Sequence, residues 1–329
     1  MAFISSLSYH LPENIITNEQ LKKQFGDIEL VAKTMGVTSR HYASTNETAS
    51  DLAVIAAEKL FSENQTNPKD IGFLIFCTQS PDYFMPSTAC VLQNRLGLPT
   101  TAGALCIDLG CSGFVYGLAI ANSIVESNLA KNVLLLTGDT ISKYMHADDK
   151  NRLLFGDASS ATLISNQGIA KIGEFDLGTD GSGYDNIIVR NGANRHREKT
   201  GESYIDKNGN KHYDDCFFMD GEAVFNFTID RLPQLIDSCL VKNKMNKDDI
   251  DYFVFHQANK YMLNTIRKVN KLSKDSFYID LSDTGNTTSS TIPIGLTKCI
   301  KEGIVHHDMN VMIAGFGVGL SWAATTLRF

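Results

Sequence analysis

The 329-residue chain has no C-x-x-C pair, no long basic block, and no run approaching the roughly 18 apolar residues of a membrane span. Its seven cysteines (77, 90, 106, 111, 216, 239 and 299) are an odd number without paired spacing, which argues against a disulfide framework or a zinc site. Free thiols are therefore expected. A formal charge of −7 excludes the basic stripe of a nucleic-acid binder. The opening MAFISSLSYHLPENIITNEQL lacks the positive start and apolar core of a secretion signal, so the protein is expected to be cytoplasmic. Asn-x-Thr triplets at Asn46, Asn64, Asn226 and Asn286 are then not glycosylation sites. His306 and His307 are adjacent and have no ligand-spaced partners, so no metal is expected. His146, His196 and His212 lie in polar stretches and are expected to face solvent.

With 43% hydrophobic residues the chain can bury a large core, and its pattern repeats. DIGFLIFCT at 70–78 lines up with DIDYFVFHQ at 249–257, an offset of 179 (249 minus 70). NVLLLTG at 132–138 matches NVMIAGF at 310–316, and YGL at 116–118 matches IGL at 294–296, both at an offset of 178 (310 minus 132; 294 minus 116). Each half reads as helix, apolar strand, loop, small-residue helix, apolar strand, which is the alternation of an α/β fold with a buried sheet. The expected halves are 1–170 and 171–329, packed as one body without a flexible linker. Thr17 with Gln20 predicts a capping box. GTDGSGYDN and IDKNGNKHYDD, within a polar segment over about 176–215, read as hairpin turns.

The repeat gives one cysteine unusual neighbours. Cys111, in IDLGCSGFVYGL, follows a strand-like approach and a glycine and opens a helix; Cys106, on that apolar approach, reads as core. His256 ends the corresponding apolar strand of the second half, and Asn286 precedes that half's equivalent helix. Pseudo-twofold packing would bring all three toward one site. GFGVGLSW at 315–322 is glycine-rich enough for a tight turn that aims backbone N–H groups inward. These are parts for thioester chemistry. A thiolate at a helix N-terminus is expected to be stabilised by the dipole and to carry an acyl group covalently. His256 and Asn286 can donate to one developing oxyanion while the backbone N–H groups of Cys111 and the glycine turn serve a second.

At LGCSGFVYG, FGDASSATL, MDGEAVFNF, FHQAN, GNTTSSTIPIGL and GFGVGLSW, and over essentially the whole chain, the sequence resembles the β-ketoacyl-acyl-carrier-protein synthase III family of the thiolase superfamily. The resemblance implies a five-layered αβαβα fold of two pseudo-duplicated halves, a homodimer, and a decarboxylative Claisen condensation in fatty-acid or related lipid metabolism. Cys111 would take the acyl starter from a thioester. His256 and Asn286 would stabilise the enolate formed as malonyl-carrier thioester loses CO₂. No metal or organic cofactor is implied. Position by position, the oxyanion N–H groups fall on Cys111 and Val318, where the family usually has glycine. The acyl pocket falls on Phe155, Met219, Gly221, Phe225 and Phe316, with Met85 where a phenylalanine from the other subunit often closes it.

Relatives that prime with acetyl-CoA carry a Trp and an Arg around the adenine, where Leu30 and Thr34 stand here; Lys150 replaces an arginine near the CoA phosphates. A longer or carrier-bound starter is expected. Acyl-carrier protein is acidic, and Lys260, Arg267, Lys268, Lys271 and Lys274 supply a local basic patch for it.

A papain-like hydrolase shares the Cys, His, Asn order, but here Cys111 is far from the N-terminus, secretion signal and disulfide spacing are missing, and the duplication has no role in that fold. A degradative thiolase needs a second cysteine in the final glycine turn, and GFGVGL has none. Plant-type polyketide synthases share the triad with poorer flanking matches. An acyltransferase passing the group from Cys111 to an alcohol, amine or thiol without decarboxylation has no use for Asn286, and a non-catalytic partner subunit has no use for the triad. The glycines of GFGVGL lack the βαβ context of a nucleotide fingerprint.

Overall fold

The computed structural model describes residues 1–205 and 211–329. Ten strands form the main sheet: β1 (Phe3–His10), β2 (Phe73–Cys77), β3 (Gly103–Ile107), β4 (Asn132–Asp139), β5 (Ala158–Ser165), β6 (Ala170–Ile172), β7 (Asp176–Thr179), β8 (Tyr252–Phe255), β9 (Asn310–Gly317) and β10 (Ser321–Arg328). Eight α-helices are described: α1 (Asn18–Phe25), α2 (Glu29–Met35), α3 (Ala49–Asn64), α4 (Thr88–Arg95), α5 (Gly113–Glu126), α6 (Gly221–Lys242), α7 (Lys260–Val269) and α8 (Thr291–Lys301).

The duplication is visible in the pairing. In the first half β2 runs parallel to β4, and β4 antiparallel to β5; in the second β8 runs parallel to β9, and β9 antiparallel to β10. Neighbouring residues of the apolar runs serve opposite faces. Leu74 and Phe76 pack with Leu60 of α3 and Leu92 of α4, whereas Ile75 packs with Phe114 and Leu118 of α5. In the second half Phe253 and Phe255 pack with Ile236 of α6 and Leu263 of α7, and Val254 packs with Ile292 and Leu296 of α8. The resulting order is α3/α4, first run of strands, α5/α8, second run of strands, α6/α7. This is the five-layered αβαβα fold expected from the resemblance.

The joint between the halves is a shared strand. β6 bonds β1 through Ile4↔Ala170 and β10 through Leu327↔Ile172, so the expected boundary after residue 170 falls inside an element that belongs to both runs. The capping box at Thr17 and Gln20 is present, and Thr48 with Asp51 forms another at the start of α3.

Two local expectations are corrected. GTDGSGYDN is not a hairpin turn: Asp176–Thr179 pairs with β10, Gly181–Asn186 forms a 3₁₀ turn, and the next strand, Ile187–Val189, pairs with Phe217–Met219. Polar turn residues there serve a crossover instead of a reversal. For IDKNGNKHYDD, strands Ser203–Ile205 and Lys211–Tyr213 do pair antiparallel, and the tip lies outside the described residues. His146 and His212 do not simply face solvent, because His146 stacks on Tyr213 at 3.7 Å between ring centroids and His212 lies edge-on to Phe218. Cys106 packs against the α3/α4 apolar cluster, as expected, and is half-buried on the edge strand β3.

Candidate active site

The nucleophile candidate sits in an elbow with no spare room. β3 ends at Ile107, and α5 begins at Gly113, two residues after Cys111. A Cβ at Gly113 would lie 2.2 Å from Cys77 Sγ, so only glycine permits this approach of helix to strand. From the other half, β9 passes directly against Cys111: a Cβ at Gly317 would lie 2.8 Å from Cys111 Cβ and 3.0 Å from Sγ. The Ser112 and Ser321 hydroxyls bond across the halves at 2.7 Å, and Ser321 Oγ donates to the Val318 carbonyl at 2.7 Å. Ser112 hydroxyl is thereby drawn to Ser321 and leaves the first turn of α5 without a side-chain cap. The Val318 and Cys111 backbone N–H groups both donate toward the sulfur.

His256 follows the last residue of β8 and is locked by its own N–H, which donates to the Ala314 carbonyl at 2.8 Å. Its Nδ1 lies 2.7 Å from Thr291 Oγ1, and its ring stands edge-on to Phe316 with centroids 5.5 Å apart. Asn286 is held like a strand residue against the first half: its N–H donates to the Leu154 carbonyl at 2.9 Å, and its carbonyl accepts from Gly156 at 3.0 Å. Gly285, at φ +66, makes this approach possible, since a Cβ there would meet the Leu154 carbonyl at 2.5 Å. The Asn286 side-chain oxygen accepts from the Thr288 N–H at 2.9 Å, and Nδ2 donates to the Ala258 carbonyl at 3.3 Å. Cys111, His256 and Asn286 thus belong to one chain of contacts: Cys111 to Gly317, Phe316 to His256, and His256 through Thr291 and Thr288 to Asn286.

The electrostatics correct one expectation. Burial, reinforced by the Asp139 carboxylate, pushes the Cys111 thiol up to about 12, against the pull of the Val318 and Cys111 N–H groups. Burial thus outweighs the two N–H groups, and the sulfur rests as a thiol. Burial lowers His256 to about 3, with the Thr288 carbonyl acting the other way, so the imidazole is neutral at physiological pH. Alkylation localised to Cys111 by peptide mass should therefore rise about tenfold per pH unit between about pH 7 and 9, following the thiolate fraction. A plateau below pH 8 would show a sulfur already ionised by the helix.

Around this centre Phe155 and Phe316 are buried, and Met219 and Phe225 pack against the same apolar cluster. Phe155 meets Phe217 edge-on at 5.3 Å, and Phe225 stacks on Tyr261 of α7 at 5.7 Å. Gly221 is exposed at the start of α6 with open space around it. Met85 is 83% exposed and outside that cluster. Leu30 is 77% exposed on α2, with Thr34 and Lys150 also at the surface. On α7, Lys260 and Lys268 are exposed, Lys260 packing its stem on Gly36 beside α2, while Arg267 is half-buried and donates to the Leu272 carbonyl. Lys271 and Lys274 are exposed just beyond α7. No group of three or more His, Cys, Asp or Glu among the described residues could hold a metal, and no described helix is long and apolar enough to cross a membrane.

Two residues at this centre escape a reading of the sequence. Asp139 ends the apolar strand NVLLLTGD as His256 ends YFVF, a usable signal; Thr288, in the left-handed region at φ +51, carries none.

Comparison with known proteins agrees with the geometry. The family model for 3-oxoacyl-[acyl-carrier-protein] synthase III matches residues 107–181, and that for its C-terminal region matches 240–329. The β-ketoacyl-[acyl-carrier-protein] synthase III of Clostridioides difficile is 33% identical over 330 residues, covering 100% of this chain and 98% of the relative. The counterpart from Fusobacterium nucleatum is 32% identical over 332 residues, covering 99% and 98%. A crystal structure of a 3-oxoacyl-(acyl-carrier-protein) synthase III superposes with a TM-score of 0.96 at 41% identity, covering 100% and 99%. With nucleophile elbow, paired halves and closing glycine turn all accounted for over the full length, the chain belongs to the β-ketoacyl-acyl-carrier-protein synthase III family.

Proposed function

We propose that the protein condenses an acyl starter, held as a thioester on Cys111, with malonyl-acyl-carrier protein, releasing CO₂ and a β-ketoacyl-carrier product for fatty-acid or related acyl biosynthesis. The observation that carries this reading is the fixed carboxamide of Asn286 beside a neutral imidazole. With its oxygen occupied by the Thr288 N–H, the amide can present only N–H hydrogens to a substrate.

Cys111 Sγ attacks the starter's thioester carbonyl, and the proton it loses passes to the departing donor thiolate, which leaves as the thiol. Malonyl-carrier then loses CO₂, and the electron pair left behind delocalises onto the thioester oxygen. Asn286 Nδ2 donates to that oxygen, as does His256 Nε2 in the tautomer that carries its hydrogen there. The carbanion attacks the acyl-cysteine carbonyl, whose oxyanion is received by the Cys111 and Val318 N–H groups. Collapse returns the sulfur. Thiol, imidazole, carboxamide and backbone suffice, so the reading needs no metal or organic cofactor. An acyltransferase that passes the group onward without CO₂ release would leave the Asn286 arrangement without a use.

The exposed Leu30 and Thr34 offer no aromatic and guanidinium pair for adenine, which supports a longer or carrier-bound starter over acetyl-CoA. The basic face of α7 and its C-terminal extension supports docking of the acidic carrier. A homodimer, expected from the family, is supported by β3: five residues at an unpaired, half-buried sheet edge are a template for a second copy. Tyr83, Phe84 and Met85, at 60%, 86% and 83% exposure, are then available to the partner's pocket. The free thiols suit a cytoplasmic enzyme.

One assay tests the reaction and the docking together. With acyl donor and malonyl-carrier, equal moles of CO₂ and β-ketoacyl-carrier are expected; acyl transfer without CO₂ would favour the acyltransferase. In the same assay Arg267→Glu with Lys268→Glu should raise KM for the carrier severalfold with kcat retained, and an unchanged KM would make those charges a solvated face.

A further inference from the structure

Asp139 is buried at the end of β4, 2% exposed, and among the described residues no ion pair reaches it. A carboxylate so placed needs donors, and it has them from both halves. Oδ1 accepts from the Gln79 N–H at 2.7 Å, with the Thr78 and Ser80 hydroxyls farther off at 3.4 Å. Oδ2 accepts from Ser289 Oγ at 2.9 Å and from Thr288 Oγ1.

Thr288 is the informative partner. A β-branched residue at φ +51 is strained and persists only where its surroundings over-determine it. Its three polar groups all point to the candidate site or its anchor. The N–H donates to Asn286 Oδ1 at 2.9 Å. The carbonyl lies 3.1 Å from Thr291 Oγ1, the hydroxyl that meets His256 Nδ1, and itself faces the imidazole. The hydroxyl reaches Asp139. If Thr288 relaxed to negative φ, its N–H and carbonyl would swing together, freeing the Asn286 amide to rotate and loosening the imidazole.

We propose that Asp139 is a positioning residue: by holding Thr288 in its left-handed conformation, it fixes the Asn286 amide and the His256 ring in the orientation that stabilises the enolate. This rests on the reading of His256 and Asn286 given above. The anchor comes from the first half and the dyad from the second, so the device also couples the duplicated halves at the point of chemistry.

Asp139 acts oppositely on the two half-reactions. Its charge disfavours the Cys111 thiolate, so removing it should assist the sulfur while harming the dyad. A merely structural residue would lower both.

The test measures CO₂ release from malonyl-carrier and alkylation of Cys111 in each variant. Asp139→Asn should lower kcat for CO₂ release by about 10- to 100-fold with KM retained, and leave Cys111 alkylation as fast as, or faster than, wild type. Thr288→Val, which keeps the shape and removes the donor, should lose CO₂ release similarly. Thr288→Gly in the Asp139→Asn background should recover much of it, since glycine holds φ +51 without an anchor. Undiminished CO₂ release in Asp139→Asn, proportional loss of both readouts, or no recovery with glycine would overturn the proposal. His256→Ala and Asn286→Ala run in parallel: if they keep CO₂ release, it is the reading of the dyad that fails.

Discussion

Replacing Cys111 by alanine is expected to abolish condensation, by at least about 10⁴-fold, while CO₂ release from malonyl-carrier continues within about tenfold of wild type. In the proposed mechanism the two halves of the reaction use different groups, so the two outcomes separate. There the sulfur holds the starter. Loss of CO₂ from malonyl-carrier needs only donors for the enolate oxygen, assigned in that mechanism to His256, after β8, and Asn286, paired to Phe155. Alanine removes one atom from a pocket walled by Gly317, so the dyad should stand undisturbed. Assay of both products in the purified variant checks this. Loss of CO₂ release together with condensation would mean that the sulfur takes part in decarboxylation and that the division of labour is wrong.

Asn286→Asp should do the reverse. The acid keeps the oxygen that accepts from the Thr288 N–H at 2.9 Å, so the loop is expected to hold its shape. It replaces the amide hydrogens with a second oxygen, placed against the Ala258 carbonyl and against the position where the enolate charge grows. A lost donor costs about 3 kcal/mol of transition-state stabilisation, and a carboxylate adds repulsion, so CO₂ release should fall by about 10²- to 10³-fold or more. Acylation of Cys111 should proceed. Intact mass and CO₂ measured on the same preparation decide the matter, since retained CO₂ release would remove Asn286 from the chemistry and return the acyltransferase to consideration.

Much of this architecture is legible in the residues because it is local and periodic. The apolar runs FLIFC and YFVF read as buried strands by length and content, and their offset, nearly the same as that between NVLLLTG and NVMIAGF, foretells two runs of strands with the same pairing pattern. Cys111, His256 and Asn286 are conspicuous through the repeat: Cys111 opens a helix of the first half, His256 ends an apolar strand of the second, and Asn286 precedes the equivalent helix. What depends on long-range contact is not legible. The Cys111 thiol is held up by the closure of β9 over it, a contact more than two hundred residues away in sequence. The strain at Thr288 is set by Asp139, from the other half. GTDGSGYDN has turn composition whether it reverses the chain or, as here, carries it to a new partner, and only the pairing of its flanks with β10 and with Phe217–Met219 distinguishes the two.

Glycine at three places allows the halves to meet. Gly317 lies against the Cys111 sulfur, and Gly156 and Gly285 let the Asn286 loop pair with the strand-like segment at Phe155. These approaches bring Cys111 of the first half against β9 of the second, as the proposed mechanism requires.

The most direct measurement is the intact mass of the enzyme after incubation with a panel of acyl-CoA and acyl-carrier donors, short and long, with Cys111→Ala alongside. One acyl adduct per chain is expected, abolished in Cys111→Ala and formed faster from longer or carrier-bound donors than from acetyl-CoA. No adduct with any donor, or one that survives in Cys111→Ala, would contradict the account at its base.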